Sequence, residues 1–175
     1  MSLALVAGCG SGSDTDEEAS VPASPAEAGF DPRLADEWQR GVPRAYGDGL
    51  SAFAWQQGEA TLLIGIADND VPQRQYAERV RKGTIDEATR VGDVDYLRAS
   101  KPTPLKPIEL DGEPGYQFTL EFASKPVRQG FNLDVDVLTA SHDDLAYSAV
   151  LYAPQGSGLN VEDTLADFRW TEPST

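Results

Sequence analysis

The sequence predicts an α+β sandwich that contains an antiparallel sheet. Segments 116–122 and 131–137 alternate apolar and polar residues with the period of two that a half-buried strand shows. A third strand-like segment, 145–153, follows after a short turn, so the three form an antiparallel meander. With 175 residues, the chain is long enough for one buried core. We therefore expect a single domain over residues 30–175.

The first predicted element is a short helix over residues 31–38. Asp31 is suited to the N-cap, and Pro32 is suited to the first helical position. Leu34 and Trp38 lie four residues apart, which places both on one apolar face.

A β-hairpin is predicted next, after a turn-rich connection over 41–49. Its strands are the apolar segments 50–55 and 60–67, separated by four polar residues. The run 62–66 lacks clean alternation, which predicts a strand covered on both faces.

A helix is predicted after the turn 68–72, with Asn69 or Asp70 as its cap. Its apolar stripe is Tyr76, Ala77 and Val80. Its other face is basic and consists of Arg74, Arg79, Arg81 and Lys82, with Arg90 further along the chain. Such a patch is able to bind anionic lipid headgroups or cell-wall polymers, or to form ordinary surface ion pairs with Glu78 and Glu87.

The segment 83–104 is ambiguous. It contains a possible helix over 86–89, a possible strand over 91–97 and a proline-rich stretch over 101–104.

The remaining elements are clearer. They are predicted in this order: a strand over 106–110, a turn over 111–115, the strands 116–122 and 131–137, a turn over 141–144, the strand 145–153, and a capped amphipathic helix over 160–168 that ends at 169–170.

Charge and composition exclude several functional classes. The chain has 14 Lys and Arg against 29 Asp and Glu, which gives a net charge of −15 and makes nucleic acid an unfavourable partner. One Cys cannot form an internal disulfide, and one His cannot build a His-rich zinc site. No apolar run approaches the roughly 20 residues of a membrane-spanning helix.

The single cysteine lies in a sequence context that predicts lipid attachment. Val6, Ala7, Gly8 and Cys9 resemble the lipobox of bacterial lipoproteins, in which small residues precede the cysteine that is alkylated. Residues 1–8 would then be a truncated signal segment whose true start lies upstream, because a signal peptide needs a longer apolar stretch. Residues 9–29 are rich in Gly, Ser, Asp, Glu and Pro, and we expect them to form a flexible, disordered tether.

The C-terminal half also resembles a known superfamily. The run from Ile108 to Phe118, the tripeptide at 152–154 and the terminal Phe168-Arg169-Trp170 resemble the PsbP-like superfamily, in particular the actinobacterial LpqN/LpqT-like lipoproteins. The likeness covers roughly residues 40–171. It implies an antiparallel sheet flanked by helices, as an α/β/α sandwich, in an exported and lipid-anchored domain. Most members of the superfamily bind other proteins, and the resemblance implies no catalytic residues.

Two constellations suggest chemistry, but each has a structural explanation that we favour. Ser141, His142 and Asp143 are the residue types of a hydrolase triad, yet neighbours in a turn point apart and cannot converge. Glu121, Asp134 and Asp136 share the polar face of two strands, where they are able to bind calcium, to cleave a sugar as a carboxylate pair or to form a solvated surface, which is the favoured interpretation.

Other motifs and the aromatic residues give no clearer site. Residues 68–70 begin like a calcium loop but lack its later oxygen ligand and glycine. The aromatic residues Tyr116, Phe118, Phe122, Phe131 and Trp170 are expected in the core, with a ligand platform as the alternative.

The sequence thus favours a non-enzymatic, lipid-anchored binding or scaffold protein on the extracytoplasmic face of a bacterial membrane. We expect a protein partner and no cofactor or metal. The alternatives are a carrier of a lipid or small apolar ligand in a cavity between sheet and helices, and an enzyme of unrecognised chemistry.

Overall fold

The computed structural model describes residues 22–46, 50–90, 97–124 and 132–172. It is a mixed α and β fold dominated by antiparallel sheet, which agrees with the predicted α+β class. Its strands are β1 (Phe30–Asp31), β2 (Gln39–Arg40), β3 (Arg44–Tyr46), β4 (Leu50–Gln57), β5 (Ala60–Asp68), β6 (Leu97–Ala99), β7 (Lys106–Leu110), β8 (Glu113–Ser124), β9 (Asn132–His142), β10 (Leu145–Pro154) and β11 (Arg169–Trp170), and its helices are α1 (Gln73–Arg90) and α2 (Val161–Thr164).

The main sheet joins the N-terminal hairpin to the C-terminal meander. Its strand order is β2-β4-β5-β10-β9-β8-β6, with β3 also paired to β4 and β7 to β8. The pairing of β5 with β10 connects the two parts, and all the pairs are antiparallel. The predicted hairpin and the predicted meander are therefore both confirmed. The strands β1 and β11 form a separate antiparallel pair.

One face of the sheet, here called the terminal face, is covered by segments from both ends of the described chain. Phe30 from the N-terminal segment and Val161 and Phe168 from the C-terminal segment are at most 2% exposed. They pack with sheet residues such as Phe53 and Leu151. Burial of these large side chains is the main force that holds the ends of the chain on the sheet.

The opposite face, here called the helix face, is covered by α1. Its core consists of Phe118, Leu120, Phe122, Val135 and Val137. These residues alternate along β8 and β9, as predicted, and face one another across the two strands. Val80 and Ile85 of α1 pack on them.

The strand β5 is covered on both faces along only part of its length. Ile64, Gly65 and Ile66 are all buried, whereas Thr61 and Leu63 earlier in the strand are half-buried. The predicted double coverage over 62–66 is therefore confirmed for its second half.

The helix predicted over 31–38 is wrong. Arg33 has a φ of 45°, which is incompatible with a right-handed helix. The Asp31 carboxylate accepts a hydrogen bond from the Arg33 backbone N–H at 3.1 Å, so it closes a local turn and does not cap a helix. Phe30 and Asp31 pair with Trp170 and Arg169 as a strand.

The helix α1 begins later than predicted and is longer. The Pro72 carbonyl accepts the first helical hydrogen bonds, from Gln75 and Tyr76 N–H, so neither Asn69 nor Asp70 is the cap. The helix continues through the possible helix at 86–89. The possible strand at 91–97 lies mostly outside the described residues, and a short strand begins at Leu97.

Two C-terminal elements also differ from prediction. The turn over 111–115 is confined to Asp111 and Gly112, because β8 already begins at Glu113. The helix over 160–168 is confined to residues 161–164. Residues 169–170 pair as a strand, which requires the chain to leave the helical conformation.

The described fold begins before Phe30, where the sequence placed the boundary with the tether. The Tyr147 hydroxyl donates a hydrogen bond to the Ala28 carbonyl at 2.8 Å, and Ala28 is 4% exposed. Arg40 donates to the Ala23 carbonyl at 2.8 Å. Residues 22–29 therefore belong to the folded unit.

Candidate functional site

The predicted lipid attachment site, Cys9 in its lipobox, lies outside the described residues, as does Phe131. Among the described residues, no helix combines the length and the apolar composition needed to cross a membrane.

The basic residues of α1 lie on its outer surface, opposite the residues that pack on the sheet. Arg74, Arg79 and Lys82 are exposed, and Arg81 is half-buried. Tyr76 and Ala77, by contrast, are buried, as predicted for the apolar stripe. Burial raises the pKa of Tyr76, although a hydrogen bond with Ser148 opposes this effect.

Acidic neighbours pair with two of these cations. Arg79 contacts Asp70 at 3.1 Å, and Arg81 contacts Glu78 at 3.2 Å. The pair of Arg79 and Asp70 is largely exposed, so it contributes little to stability, whereas Arg81 in the second pair is half-buried. The side chains of Glu87 and Arg90 lie outside the described part of the chain.

Arg74 and Lys82 form no ion pair with any described residue. They lie eight residues apart on one helix, which corresponds to about 12 Å along its axis. The helix itself has five basic and three acidic residues, a net charge of +2, within a chain whose net charge is −15. This outer surface of α1, here called the basic face, is therefore a local exception to the acidic character of the protein.

Ser141, His142 and Asp143 do not form a triad. The Ser141 hydroxyl contacts the Gln73 amide oxygen on the helix face. The His142 ring stacks on Trp170, on the terminal face, with 4.7 Å between the ring centroids. Consecutive strand residues point to opposite faces of a sheet, so the serine and the histidine are separated by the sheet, as expected.

His142 has a structural environment. Its Nδ1 lies 3.1 Å from Glu113 Oε1, and its Nε2 lies 3.6 Å from Asp143 Oδ2. The Trp170 indole that it covers donates a hydrogen bond to the Leu110 carbonyl at 3.1 Å. The histidine therefore covers the C-terminal strand β11.

Two acidic residues of β9 accept hydrogen bonds from the loop before α2 and from the first residue of α2. Glu121 lies opposite Asp134 in the sheet. Asp134 accepts a hydrogen bond from the Gly156 N–H at 3.3 Å, and Asp136 accepts one from the Val161 N–H at 2.9 Å. Of the three predicted acids, Asp136 is buried and is not part of a solvated surface.

Asp136 is the most strongly buried carboxylate of this group, at 8% exposure. Burial raises its pKa, and the charge of Glu162 adds to this effect, whereas hydrogen bonds from Val161 and Gln117 oppose it. Gln117 Nε2 lies 3.1 and 3.2 Å from the two carboxylate oxygens. Within the described ranges, no group of three or more His, Cys, Asp and Glu side chains is arranged to hold a metal ion.

A surface cleft of about 290 Å³ lies beside α2, and the sequence did not predict it. Its lining includes Arg33, Trp38, Gln57, Asp163 and Asp167. These residues come from three distant segments of the chain and form no local motif.

The cleft does not match the cavity that a carrier of apolar ligands requires. Its lining combines charged and amide side chains with apolar ones such as Trp38 and Leu159, and it opens at the surface beside α2. The space between the sheet and the covering segments is instead occupied by large side chains, such as Phe30 and Phe168 on the terminal face.

The described surface thus offers two features that are able to bind another molecule, the basic face of α1 and the cleft beside α2. No family model matches the chain, and no curated protein matches it.

Proposed function

We propose that this protein is a non-enzymatic, lipid-anchored binding protein on the extracytoplasmic face of a bacterial membrane, with a PsbP-like α/β/α domain. In this proposal the basic face of α1 binds an acidic surface on a partner protein. The observation that carries the proposal is that Arg74 and Lys82 are exposed and form no ion pair with any described residue, on a helix whose other side packs on the sheet.

The lipid anchor is supported by the sequence Val6-Ala7-Gly8-Cys9. Pro22, where the described chain begins, lies 13 positions after Cys9. Thirteen residues span at most about 45 Å in any conformation. Attached through Cys9, the domain would remain close to the membrane surface, and so would its partner.

Charge complementarity supports an acidic partner. The basic face is surrounded by a protein of net charge −15, so a basic partner would be attracted to most of the surface. An acidic partner would be attracted more strongly to α1 than to the acidic remainder of the protein. Such a distribution favours one binding orientation over others, because opposed potentials suppress incorrect complexes.

The anchor is tested by replacing the cysteine. Cys9→Ser is expected to release the protein from the membrane fraction and to abolish labelling by a radioactive fatty acid. Cell fractionation and metabolic labelling measure the two effects. Unchanged membrane association in this variant would refute the lipid anchor.

The binding function is tested by affinity capture from native membranes with Arg74→Glu/Lys82→Glu. The control is Lys101→Glu/Lys106→Glu, which makes the same change of net charge at exposed positions outside α1. We expect a partner that co-purifies with the native protein and with the control but not with the α1 variant. The proposal would be overturned if both variants lost the partner equally. It would also be overturned if no protein were enriched and lipid were extracted with the captured protein instead.

A further inference from the structure

The cleft beside α2 is separate from the basic face, and the two parts of its lining differ in chemical character. The first part consists of the turn segment with Arg33 and Trp38 and of the end of β4 at Gln57. The second part consists of residues between 158 and 167, around α2. Since α1 contributes no residue to the lining, binding in this cleft would be independent of the proposed function.

The first part of the lining supplies hydrogen-bond donors. Arg33 Nε contacts Asp31 Oδ2 at 3.3 Å, whereas the Arg33 Nη groups have no described partner and belong to a side chain that is 54% exposed. The Trp38 indole N–H likewise has no described acceptor. Because Gln57 Oε1 is fully buried, the amide nitrogen is the end of this side chain that a ligand is able to reach. Three donor groups in this part of the cleft are therefore available.

The second part of the lining supplies negatively charged acceptors. Asp163 Oδ2 accepts a hydrogen bond from Asn160 Nδ2 at 2.6 Å, and Asp163 Oδ1 has no described partner. Asp167 is exposed and pairs with no described cation. The described ion pair of Arg33 is with Asp31, so this cation contacts neither carboxylate of the cleft. One cleft thus contains a cation with free donors and two carboxylates that it does not neutralise.

We propose that this cleft binds a zwitterionic α-amino acid with an apolar side chain. The carboxylate of the ligand accepts hydrogen bonds from the Arg33 guanidinium and the Trp38 indole, and its ammonium group donates to Asp163 Oδ1 and the Asp167 carboxylate. Charge-assisted hydrogen bonds of this kind are stronger than those between neutral groups. The apolar side chain of the ligand packs on Trp38 and Leu159, which line the cleft and are half-buried.

Ligands with a single charge fit the cleft less well. A simple alkylamine would contact the carboxylates but would leave the donors of Arg33, Trp38 and Gln57 without an acceptor. A simple carboxylate would accept from these donors but would be repelled by Asp163 and Asp167. A neutral ligand would gain neither charge interaction. The distinguishing property of the ligand is therefore the presence of both charges in one small molecule.

The proposal is tested by NMR titration of the whole chain with L-leucine, at mildly acidic pH and constant ionic strength. The matched control compounds are L-leucinamide, which retains the ammonium group but lacks the carboxylate, and N-acetyl-L-leucine, which retains the carboxylate but lacks the ammonium group. We expect saturable shifts of the Trp38 indole and Gln57 side-chain amide signals with L-leucine, in the millimolar range because solvent screens exposed charges. Each control compound should bind at least about fivefold more weakly.

Two variants test the residues that contact the ligand charges. Arg33→Gln and Asp167→Asn are each expected to weaken L-leucine binding about two- to fivefold, which corresponds to the loss of one partly exposed charge interaction. Lys101→Gln and Asp144→Asn make the same charge changes at exposed positions that do not line the cleft, and they should leave the affinity unchanged. The proposal is overturned if either control compound binds as tightly as L-leucine, if L-leucine gives no saturable shifts, or if the cleft variants behave like their controls.

Discussion

On the terminal face, aromatic rings from distant parts of the chain meet around Phe30, whereas the helix face has a mostly aliphatic core under one helix. The Phe30 ring lies 5.5 Å from Phe53, 5.8 Å from Tyr147 and 5.8 Å from Phe168, measured between centroids. Buried polar anchors add to this face, among them the hydrogen bond from Tyr147 to Ala28. Burial and the charge of Asp143 raise the pKa of Tyr147 to about 12.

On the helix face, the single helix α1 packs on the sheet, together with Ala99 and Leu105. Residues four and three apart on α1, such as Tyr76 and Val80, supply the apolar contacts, and the charged residues lie outside. The two faces of the sheet therefore have different structural roles. The terminal face fixes both ends of the described chain, and the helix face leaves the outer side of α1 available for binding.

The largest expected effect is on the terminal face. Phe30→Ala should lower the free energy of unfolding by about 3–5 kcal/mol, because it leaves a cavity among three aromatic rings. Urea denaturation measures the loss. Hydrogen exchange should also quicken at the Thr171 amide, which donates to the Gly29 carbonyl.

The control for this prediction is Phe122→Ala on the helix face, where the ring is 3% exposed. We expect a comparable loss of stability, but with native protection of the Thr171 amide under conditions in which the protein remains folded. If both variants expose this amide equally, the two faces do not act as separate layers.

Asp136 tests the polar anchor of α2. Asp136→Ala should cost about 1–3 kcal/mol, because it leaves the Val161 N–H and the Gln117 amide without their acceptor. Asp136→Asn should cost less, since one amide oxygen can still accept from Val161 and the amide nitrogen can donate to Gln117. Urea denaturation of both variants provides the comparison.

The same residue gives a pH dependence of known sign. Burial raises the pKa of Asp136 in the folded state, so the folded protein binds this proton more tightly than the unfolded chain does. The stability gained from the protonated carboxyl group is complete below the unfolded pKa and is lost as pH rises through the folded pKa. The stability of Asp136→Asn relative to the native protein should therefore increase between pH 3 and pH 7. A constant difference across this range would show that Asp136 has an ordinary pKa.

The Tyr147 hydrogen bond is expected to have a smaller effect. Tyr147→Phe should cost about 1 kcal/mol and should quicken hydrogen exchange at the Ala28 and Phe30 amides. The matched control is Tyr76→Phe, which removes a buried hydroxyl on the helix face. If Tyr147→Phe left the protection of the Ala28 and Phe30 amides unchanged, this hydrogen bond would not hold the N-terminal segment on the sheet.

Local periodicity explains what the sequence could predict. Apolar and polar residues alternate along 116–122 because successive side chains of a strand point to opposite faces of the sheet. This pattern is visible within the strand itself and does not depend on which other segments contact it. The apolar stripe of α1 is local for the same reason. Phe118, Leu120 and Phe122 on the strand and Tyr76 and Ala77 on the helix are buried, as predicted.

Long-range contacts explain what the sequence could not predict. Asp31 and Pro32 have the local pattern of a helix start, but Phe30 pairs with Trp170, 140 positions later in the chain. The cleft combines Arg33, Gln57 and Asp167 in the same way. No local pattern indicates such a combination, because it depends on how the two ends of the described chain meet on the terminal face.

The smallest effect is expected at the basic face. Arg79→Gln should change the free energy of unfolding by less than about 0.5 kcal/mol, because its pair with Asp70 is 52% and 65% exposed and solvent screens the attraction. Urea denaturation at low and high salt measures both the change and its screening. A loss above about 1 kcal/mol would make this face a structural element of the fold. The expected result is a near-zero change in the free energy of unfolding for Arg79→Gln, against a loss of about 3–5 kcal/mol for Phe30→Ala. The charged side chains on the outer side of α1 would then not be needed for stability, which is what the proposed binding role requires.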